Sequence, residues 1–476
     1  MSKKLISTIF LVPFLFLSST YEAKSIESEK EINKIARKST NTIYIDLKDI
    51  ENLVLKNNPE LKSLEQLISS QSFNLSSKIA KRYPSLNLNA NGLPQYLNGK
   101  TYNSNSVNTK SSRFSANPSL TIRWNLIDPQ RGPEIRSARN NYEIALNNFE
   151  IKKKDLIQEA RASYHKLQKS YEDIKNAKIS IEISKISLKD AQAKLETGIG
   201  TRFEVLEAET QLARDQESLN EKKIQLEINE IILKEILNIN TRFDIDRNQK
   251  LIGFWNYSLE QNIKSGIKNS KSLKNISLQE TIRENQANFF NNASKPLVYI
   301  SNTFSSTFTK GDYLSTSIDP NEYGSSYSNT IGLNFSWNIF NGGQNKNSYK
   351  SKKTEAKSER FAYKNIENMI KTNISETFLN LKINTNKILS SKQEIISSQE
   401  SLRLTRLRYE VGISTLKDVL IRQKELSDAR SKKIASIFNY NLNLDKLERL
   451  TFMEKDNTCR INSINKSKRV DSICDI

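Results

Sequence analysis

Histidine and cysteine, the side chains most used as metal ligands and positioned catalytic bases or nucleophiles, are scarce in this 476-residue sequence. There is one histidine, His165, and there are two cysteines, Cys459 and Cys474. A zinc site of the usual cysteine/histidine kind cannot be assembled from them, so no metal and no cofactor are expected. Nothing around His165 forms a catalytic constellation. It stands off the helical seam, between Ser163 and Leu167, and reads as a solvated helix residue. The 13 glycines include no phosphate-cradling loop. What remains is charge: 73 Lys+Arg against 53 Asp+Glu, a formal +20. Such a balance suits nucleic acid or an anionic surface, yet acids are interleaved with the lysines, as on long solvated helices. Zinc-finger spacing and RNA-binding aromatic motifs are absent. The expectation is neither an enzyme nor a nucleic-acid binder.

Mean hydropathy is −0.61, and after residue 18 no apolar run reaches the roughly 18–20 residues a spanning helix needs. A polytopic helical membrane protein is excluded. Lys3 and Lys4, the apolar stretch 5–17 and polar Ser18-Ser19-Thr20 make a secretory signal. With Ala23 as its last residue, the signal spans residues 1–23. No cysteine lies near the cleavage region, so no lipid anchor is expected there. Cys459 and Cys474 fall in a polar tail, residues 453–476. An exported chain permits them to pair or stay apart.

The mature chain is written twice. Pro84 matches Pro296, 212 residues on; Trp124 matches Trp337, at 213; Gly198 matches Gly412, at 214. Each half reads helix, two strands around a polar loop, long helix, glycine turn, helix. The first repeat is placed at residues 45–238, an inter-repeat linker at 239–257 and the second repeat at 258–452.

The long helices carry the most regular signal. Leu156, Ala160, Ser163, Leu167, Ser170 and Ile174 step by four and three, continuing through Ala177, Ile181, Ser184, Leu188, Ala191 and Leu195. Ile370, Ile374, Thr377, Leu381, Asn384 and Ile388 do the same, continuing through Ser391, Ile395, Ser398, Leu402, Thr405 and Tyr409. A period near 3.5 with large and small residues alternating lets helices lie side by side. The first run extends, without internal glycine or later proline, over about 64 residues, roughly 95 Å of helix at 1.5 Å per residue. Such a helix needs neighbours along its length.

Between the helices the period becomes two. Leu120, Ile122, Trp124 and Leu126 alternate with polar residues, as do Ile331, Leu333, Phe335, Trp337 and Ile339. Strands of about ten residues are expected, with polar connections at 98–112 and 310–328. An apolar, aromatic face fits either a half-buried soluble sheet or a membrane barrel. Four strands cannot close a barrel, and an open edge cannot exist in lipid. If they span, several chains must share one barrel; three would supply twelve strands.

At this point the chain resembles the TolC-type outer membrane efflux protein family. The resemblance rests on Asn58-Pro59-Glu60-Leu61, Tyr83-Pro84-Ser85-Leu86, Trp124-Asn125-Leu126-Ile127 and the run from Leu333 to Gly343. It rests also on the turns from Tyr409 to Leu420 and from Thr197 to Leu206, and it covers roughly residues 45–451. It implies an α+β membrane protein: long antiparallel coiled-coil helices in an α-barrel, with four strands per chain in a trimeric 12-stranded outer-membrane β-barrel, internally duplicated. It further implies a homotrimer seated in outer membrane lipid, with a periplasmic helical tunnel. A periplasmic adaptor (membrane fusion) protein would join its tips to an inner-membrane pump, for efflux or type I secretion.

In the family, tip residues of this Val-Gly type meet the adaptor, which assigns Gly198, Ile199, Val411, Gly412 and Ile413 to that contact. Trp124, Phe335 and Trp337 become membrane-barrel aromatics. Tyr409 stands where the family has an aromatic that holds the closed state, Glu204 where it has the acidic partner, and Asp418 where it has the inward aspartate of the constriction. Ser414 replaces an arginine of the best-known member and Ile421 a second inward acid, which implies a thinner closing network. The residues also allow plainer readings. Tyr409 is the next large seam residue after Leu402, and Glu204 and Asp418 are first-turn acids that favour a helix dipole. The rival function class is a soluble periplasmic coiled-coil scaffold or an adhesin.

Overall fold

The structure, a computed structural model, describes residues 43–102, 109–312 and 323–456. The signal, Cys459, Cys474 and most of the tail lie outside the described residues. The described chain falls into two units. The small one comprises Ile43, Tyr44 and Thr241–Asp244, where the Ile43 N–H donates to the Arg242 carbonyl at 3.0 Å. The large one comprises Ile45–Asn240 and the described residues from Ile245 on.

Strand β1 (Ile43–Ile45) precedes helices α1 (Leu47–Asn57) and α2 (Pro59–Ala80), strands β2 (Ser85–Thr101) and β3 (Thr109–Ile127), and helices α3 (Arg131–Glu196) and α4 (Arg202–Leu237). The order then repeats as β4 (Phe243–Ile245), α5 (Leu259–Asn269), α6 (Lys271–Asn292), β5 (Leu297–Asp312), β6 (Tyr323–Ser336), α7 (Gln344–Glu410) and α8 (Leu416–Thr451). Capping is duplicated too. Reciprocal capping boxes open α1 (Asp46/Asp49), α4 (Thr201/Glu204), α5 (Ser258/Gln261) and α8 (Thr415/Asp418).

The one short helix expected at the start of each half is two. Asn58 is extended, Pro59 has no N–H to donate, and the Asn58 side chain accepts from the N–H groups of Glu60 and Leu61 at 2.9 and 3.3 Å. Ser270 breaks the second half without a proline, its hydroxyl accepting from the Leu273 N–H at 3.3 Å.

Helices α3 and α7 have 66 and 67 residues, about 100 Å each. None of the predicted seam positions is exposed. They form two cores. One, around Leu402, Tyr409, Leu416 and Leu426, lies toward the glycine turns. The other, around Ile374, Ile388, Leu444 and Leu447, lies toward α5 and residues 251–255.

The expectation for His165 is overturned. It is fully buried, because α3 packs against α8 as well as α4 and so hides a second face beside the heptad seam. Asn176, Ser180 and Ser187 are buried on the same account.

The four long strands form one antiparallel sheet in the order β2-β3-β5-β6. They run to 17, 19, 16 and 14 residues, beyond the ten expected and into the predicted connections. Register puts Leu86 opposite Ile122, Trp124 opposite Ile300, and Ile300 opposite Leu333. Leu88, Leu120, Phe304, Ile331 and Phe335 therefore share that face, while Thr121, Arg123, Ser301, Thr303 and Asn334 share the other. The polar face is internally bonded: Thr121 to Thr303 at 3.2 Å, Asn334 to Ser301 at 2.8 Å, and the Arg123 guanidinium 3.9 Å from the Tyr299 ring centre. The apolar face is uncovered, with Leu333 71% exposed and Leu88 73%. Strands β2 and β6 end the sheet with no further partner strand among the described residues.

Candidate functional site

The two tip turns share one geometry. The N–H of Ile199 donates to the Lys194 carbonyl at 3.0 Å, and that of Ile413 to the Arg408 carbonyl at 2.8 Å. Gly198 and Gly412 hold φ of +76° and +79°, the left-handed conformation that ends many helices. An added Cβ at either would meet nothing within 4 Å. Gly198→Ala and Gly412→Ala should thus each cost only backbone strain, about 1–2 kcal/mol, read from the denaturation midpoint of the purified protein. A loss several times larger would mean that the turns are packed against something. Side chains around the turns are left bare: Ile199, Phe203, Val411 and Ile413 are 70–77% exposed.

Beneath the tips, α3 and α7 are clasped. The Lys194 ammonium sits 3.8 Å from the centre of the Tyr409 ring and donates to the Tyr409 carbonyl. One turn further, Arg406 pairs with Asp190 at 2.7 Å. Tyr409 is 2% exposed and packs with Leu402, Leu416 and Val419. Its hydroxyl is buried without a hydrogen-bond partner among the described residues. Burial first, then the negative charges of Glu204 and Asp190, pushes its pKa up to about 12. Deeper still, Gln423 of α8 donates to the Ser180 carbonyl at 3.3 Å and to Asp215 at 3.2 Å, joining α3, α4 and α8 by polar contacts.

Glu204 and Asp418 turn back on their own helix starts. Glu204 accepts from the Thr201 N–H at 3.1 Å. Asp418 accepts from the Thr415 N–H at 3.0 Å, the Thr415 hydroxyl at 2.7 Å and the Ser414 hydroxyl at 3.0 Å. Those bonds, the backbone one foremost, hold the Asp418 carboxyl below the usual carboxylate range. Neither acid hydrogen-bonds Tyr409 within the chain. Ile421 is exposed on the first turns of α8.

At the sheet the two halves match again. The Trp124 indole N–H donates to the Arg82 carbonyl and that of Trp337 to the Ser294 carbonyl, both at 2.9 Å. Each bond ties the end of one strand to the turn that leads into its neighbour. The Phe335 and Trp337 rings meet edge to face, 6.4 Å apart.

A charged cluster that sequence reasoning missed lies midway along the helices. His165 faces Asp445 through Nε2 at 3.1 Å and Gln168 through Nδ1 at 3.3 Å. Asp445 also meets Lys455 at 3.1 Å and Arg161 at 3.4 Å. Arg161 reaches Glu448 at 2.8 Å and Glu51. Burial alone would raise the Asp445 pKa, but the His165 hydrogen bond and the charges of His165, Lys455 and Arg161 outweigh it and hold the carboxyl below its usual range. Gln168 donates to the carbonyls of Asp246 and Asn248 at 2.9 and 3.2 Å. The cluster joins α1, α3 and α8 to residues 246–248 and to Lys455 beyond α8. No local spacing announces it; its members lie up to several hundred residues apart.

By sequence, no curated protein matches the chain. Solved structures do match its fold. A membrane protein from Pseudomonas aeruginosa superposes with a TM-score of 0.71 at 15% identity, over 87% of this chain and 91% of that one. The CmeC outer membrane channel of Campylobacter jejuni gives 0.69 at 16% identity, over 90% and 89%. The outer membrane protein VceC of Vibrio cholerae gives 0.69 at 13%, over 85% and 96%. Identities this low establish the fold alone. The family model for the outer membrane efflux protein, however, matches residues 51–238 and 268–451, most of both halves. On that match the chain belongs to the outer membrane efflux protein family, a family of passive channels and not of enzymes.

Proposed function

We propose that three copies of this chain form one conduit through the outer membrane. The observation that carries this reading is the sheet. Its apolar face is uncovered, its polar face is satisfied, and both its edges are open. Pairing β6 of one copy with β2 of the next would close twelve strands, removing every edge and turning the apolar face to lipid. Trp124, Phe335 and Trp337 would then stand at the membrane boundary. The long helices would continue the barrel as a tunnel through the periplasm.

At the far end, the bare side chains of Ile199, Val411 and Ile413, with Gly198 and Gly412, form the surface an adaptor protein would cover. The adaptor would link the conduit to an inner-membrane pump in an efflux or type I secretion system, and energy would come from that pump. Tyr409 would hold the aperture closed, with Glu204 and Asp418 lending it negative charge that favours cations.

The reading is tested at Leu333. On a lipid-facing strand, Leu333→Arg costs about 2–4 kcal/mol and should deplete SDS-resistant trimer from the outer membrane, while Thr330→Arg on the polar face should not. A soluble scaffold would tolerate both, since both side chains are already exposed. A protein that washes from membranes with salt and migrates as a monomer would end the proposal.

A further inference from the structure

Helices α3, α7 and α8, with Gln249, line an open-sided cavity of about 280 Å³ midway along the helical body. Its charge is lopsided. Lys175, Arg430 and Lys433 line it against a single carboxylate, Glu172, which lies 3.7 Å from Lys175. Arg430 is half-buried and has no ion pair or hydrogen bond among the described residues. By contrast Arg161, Arg406 and Arg449, also half-buried, each face a carboxylate at 2.6–2.8 Å. Burial with no anion to offset it draws the Arg430 pKa below the usual guanidinium value.

The remaining wall is apolar: Ile179 from α3, Ile395 from α7, and Ile434 and Ile437 from α8. Two further lining residues leave polar atoms unsatisfied. Asn176, 7% exposed, spends its amide N–H groups on the Ser427 carbonyl and the Ser431 hydroxyl, both at 3.1 Å. Gln249 spends one on the Ile434 carbonyl at 3.1 Å. The side-chain oxygens of both are buried without a donor. A cation without an anion thus borders a partly apolar space, and the two bare acceptors beside it could be met only by an N–H or O–H group elsewhere on a ligand.

We propose that this cavity binds a small amphipathic organic anion, its acid group on Arg430 between Lys433 and Lys175 and its apolar body along the four isoleucines. A guanidinium offers a carboxylate, sulfate or sulfonate a charge-assisted, forked contact. The apolar wall supplies burial for the rest of the molecule. An ordinary inorganic anion would gain only the first of these, and a neutral apolar molecule only the second.

The experiment uses the purified, detergent-solubilised assembly and the fluorescent anion 8-anilinonaphthalene-1-sulfonate. Titration should show a saturable site at one per chain, weakened by added salt, above the non-saturable uptake by micelles. Arg430→Gln should weaken that site at least about tenfold, the loss of one charge-assisted contact, while Arg430→Lys should retain most of it. Ile179→Trp, which fills the apolar end, should also abolish it, and Arg403→Gln, an exposed residue paired with Glu400 at 2.6 Å, should leave it intact. If Arg430→Gln fails to assemble, Lys433→Gln takes its place, with weakened binding expected. Unchanged affinity in the Arg430 or Lys433 variant overturns the proposal. So does the lack of any saturable site, the result expected if a neighbouring copy fills the cavity.

Discussion

Asp445→Asn is expected to cost the helical body about 3–5 kcal/mol, the usual penalty for removing one member of a buried charge pair. The carboxylate is 1% exposed and serves His165, Lys455 and Arg161 at once. The amide has nearly its shape but none of its charge. Arg161 keeps Glu448 and Glu51, and Lys455 keeps Glu448 at 3.3 Å, so the loss falls mainly on the His165 contact and on the balance of charge around the site. The measurement is a denaturant midpoint on the solubilised protein. A cycle with His165→Phe adds the decisive check: the double variant should lose clearly less than the sum of the two singles. Additive losses would show that the two side chains act independently. The sign with pH follows from the depressed Asp445 pKa. The contribution is present above the unfolded value near 3.9 and is lost as pH falls through the folded one. The cluster should therefore be intact at neutral pH and fail only in acid.

Tyr409→Ala is expected to cost about 3–5 kcal/mol at the tips, the range for truncating a buried aromatic to alanine. It removes the ring over which the Lys194 ammonium lies and leaves a hole among Leu402, Leu416 and Val419. Tyr409→Phe should cost almost nothing, because the hydroxyl is buried without a partner within the chain. If Tyr409 closes the aperture by packing, single-channel conductance should rise in the alanine variant and stay unchanged in the phenylalanine one. Equal increases in both would assign the closure to the hydroxyl, bonded to a neighbouring copy. Alkali provides a second reading. The neutral ring belongs to the folded state, and its pKa is pushed up to about 12 from an unfolded value near 10. Its contribution is whole below pH 10 and is lost between 10 and about 12. An opening in that window should shrink in Tyr409→Phe.

How much of this was legible beforehand varies by element. The seam from Leu156 to Leu195 and its copy from Ile370 to Tyr409 could be read directly, because one long contact between helices imposes one period. The amphipathic sheet could be read where Leu, Ile and Trp alternate with polar residues. Its outer halves could not, since Ser, Thr and Asn keep pairing through the backbone without any apolar signal. The break at Asn58-Pro59 carries a proline, whereas its copy at Ser270 depends on a hydroxyl cap alone. His165 was misread because α8 and residues 246–248 reach it from far along the chain. The Lys194 clasp on Tyr409 joins residues more than 200 apart for the same reason. The channel assignments of Tyr409, Glu204 and Asp418 came from family resemblance, and the capping of both acids is local chemistry that the Thr-x-x-acid spacing already contains.

The uncovered sheet also bears on biogenesis. The helices find their cores within one polypeptide. If three copies share one barrel, the strands, 14 to 19 residues long, cannot hide their leucines and aromatics until sister copies arrive. A newly exported chain would therefore carry a sticky ribbon with two unpaired margins, the sort that seeds aggregation. Completing it would be a collision-limited event whose rate rises steeply with the local supply of chains. A cell making this protein would need either an escort that shields the ribbon or a synthesis rate matched to its membrane's capacity to receive it.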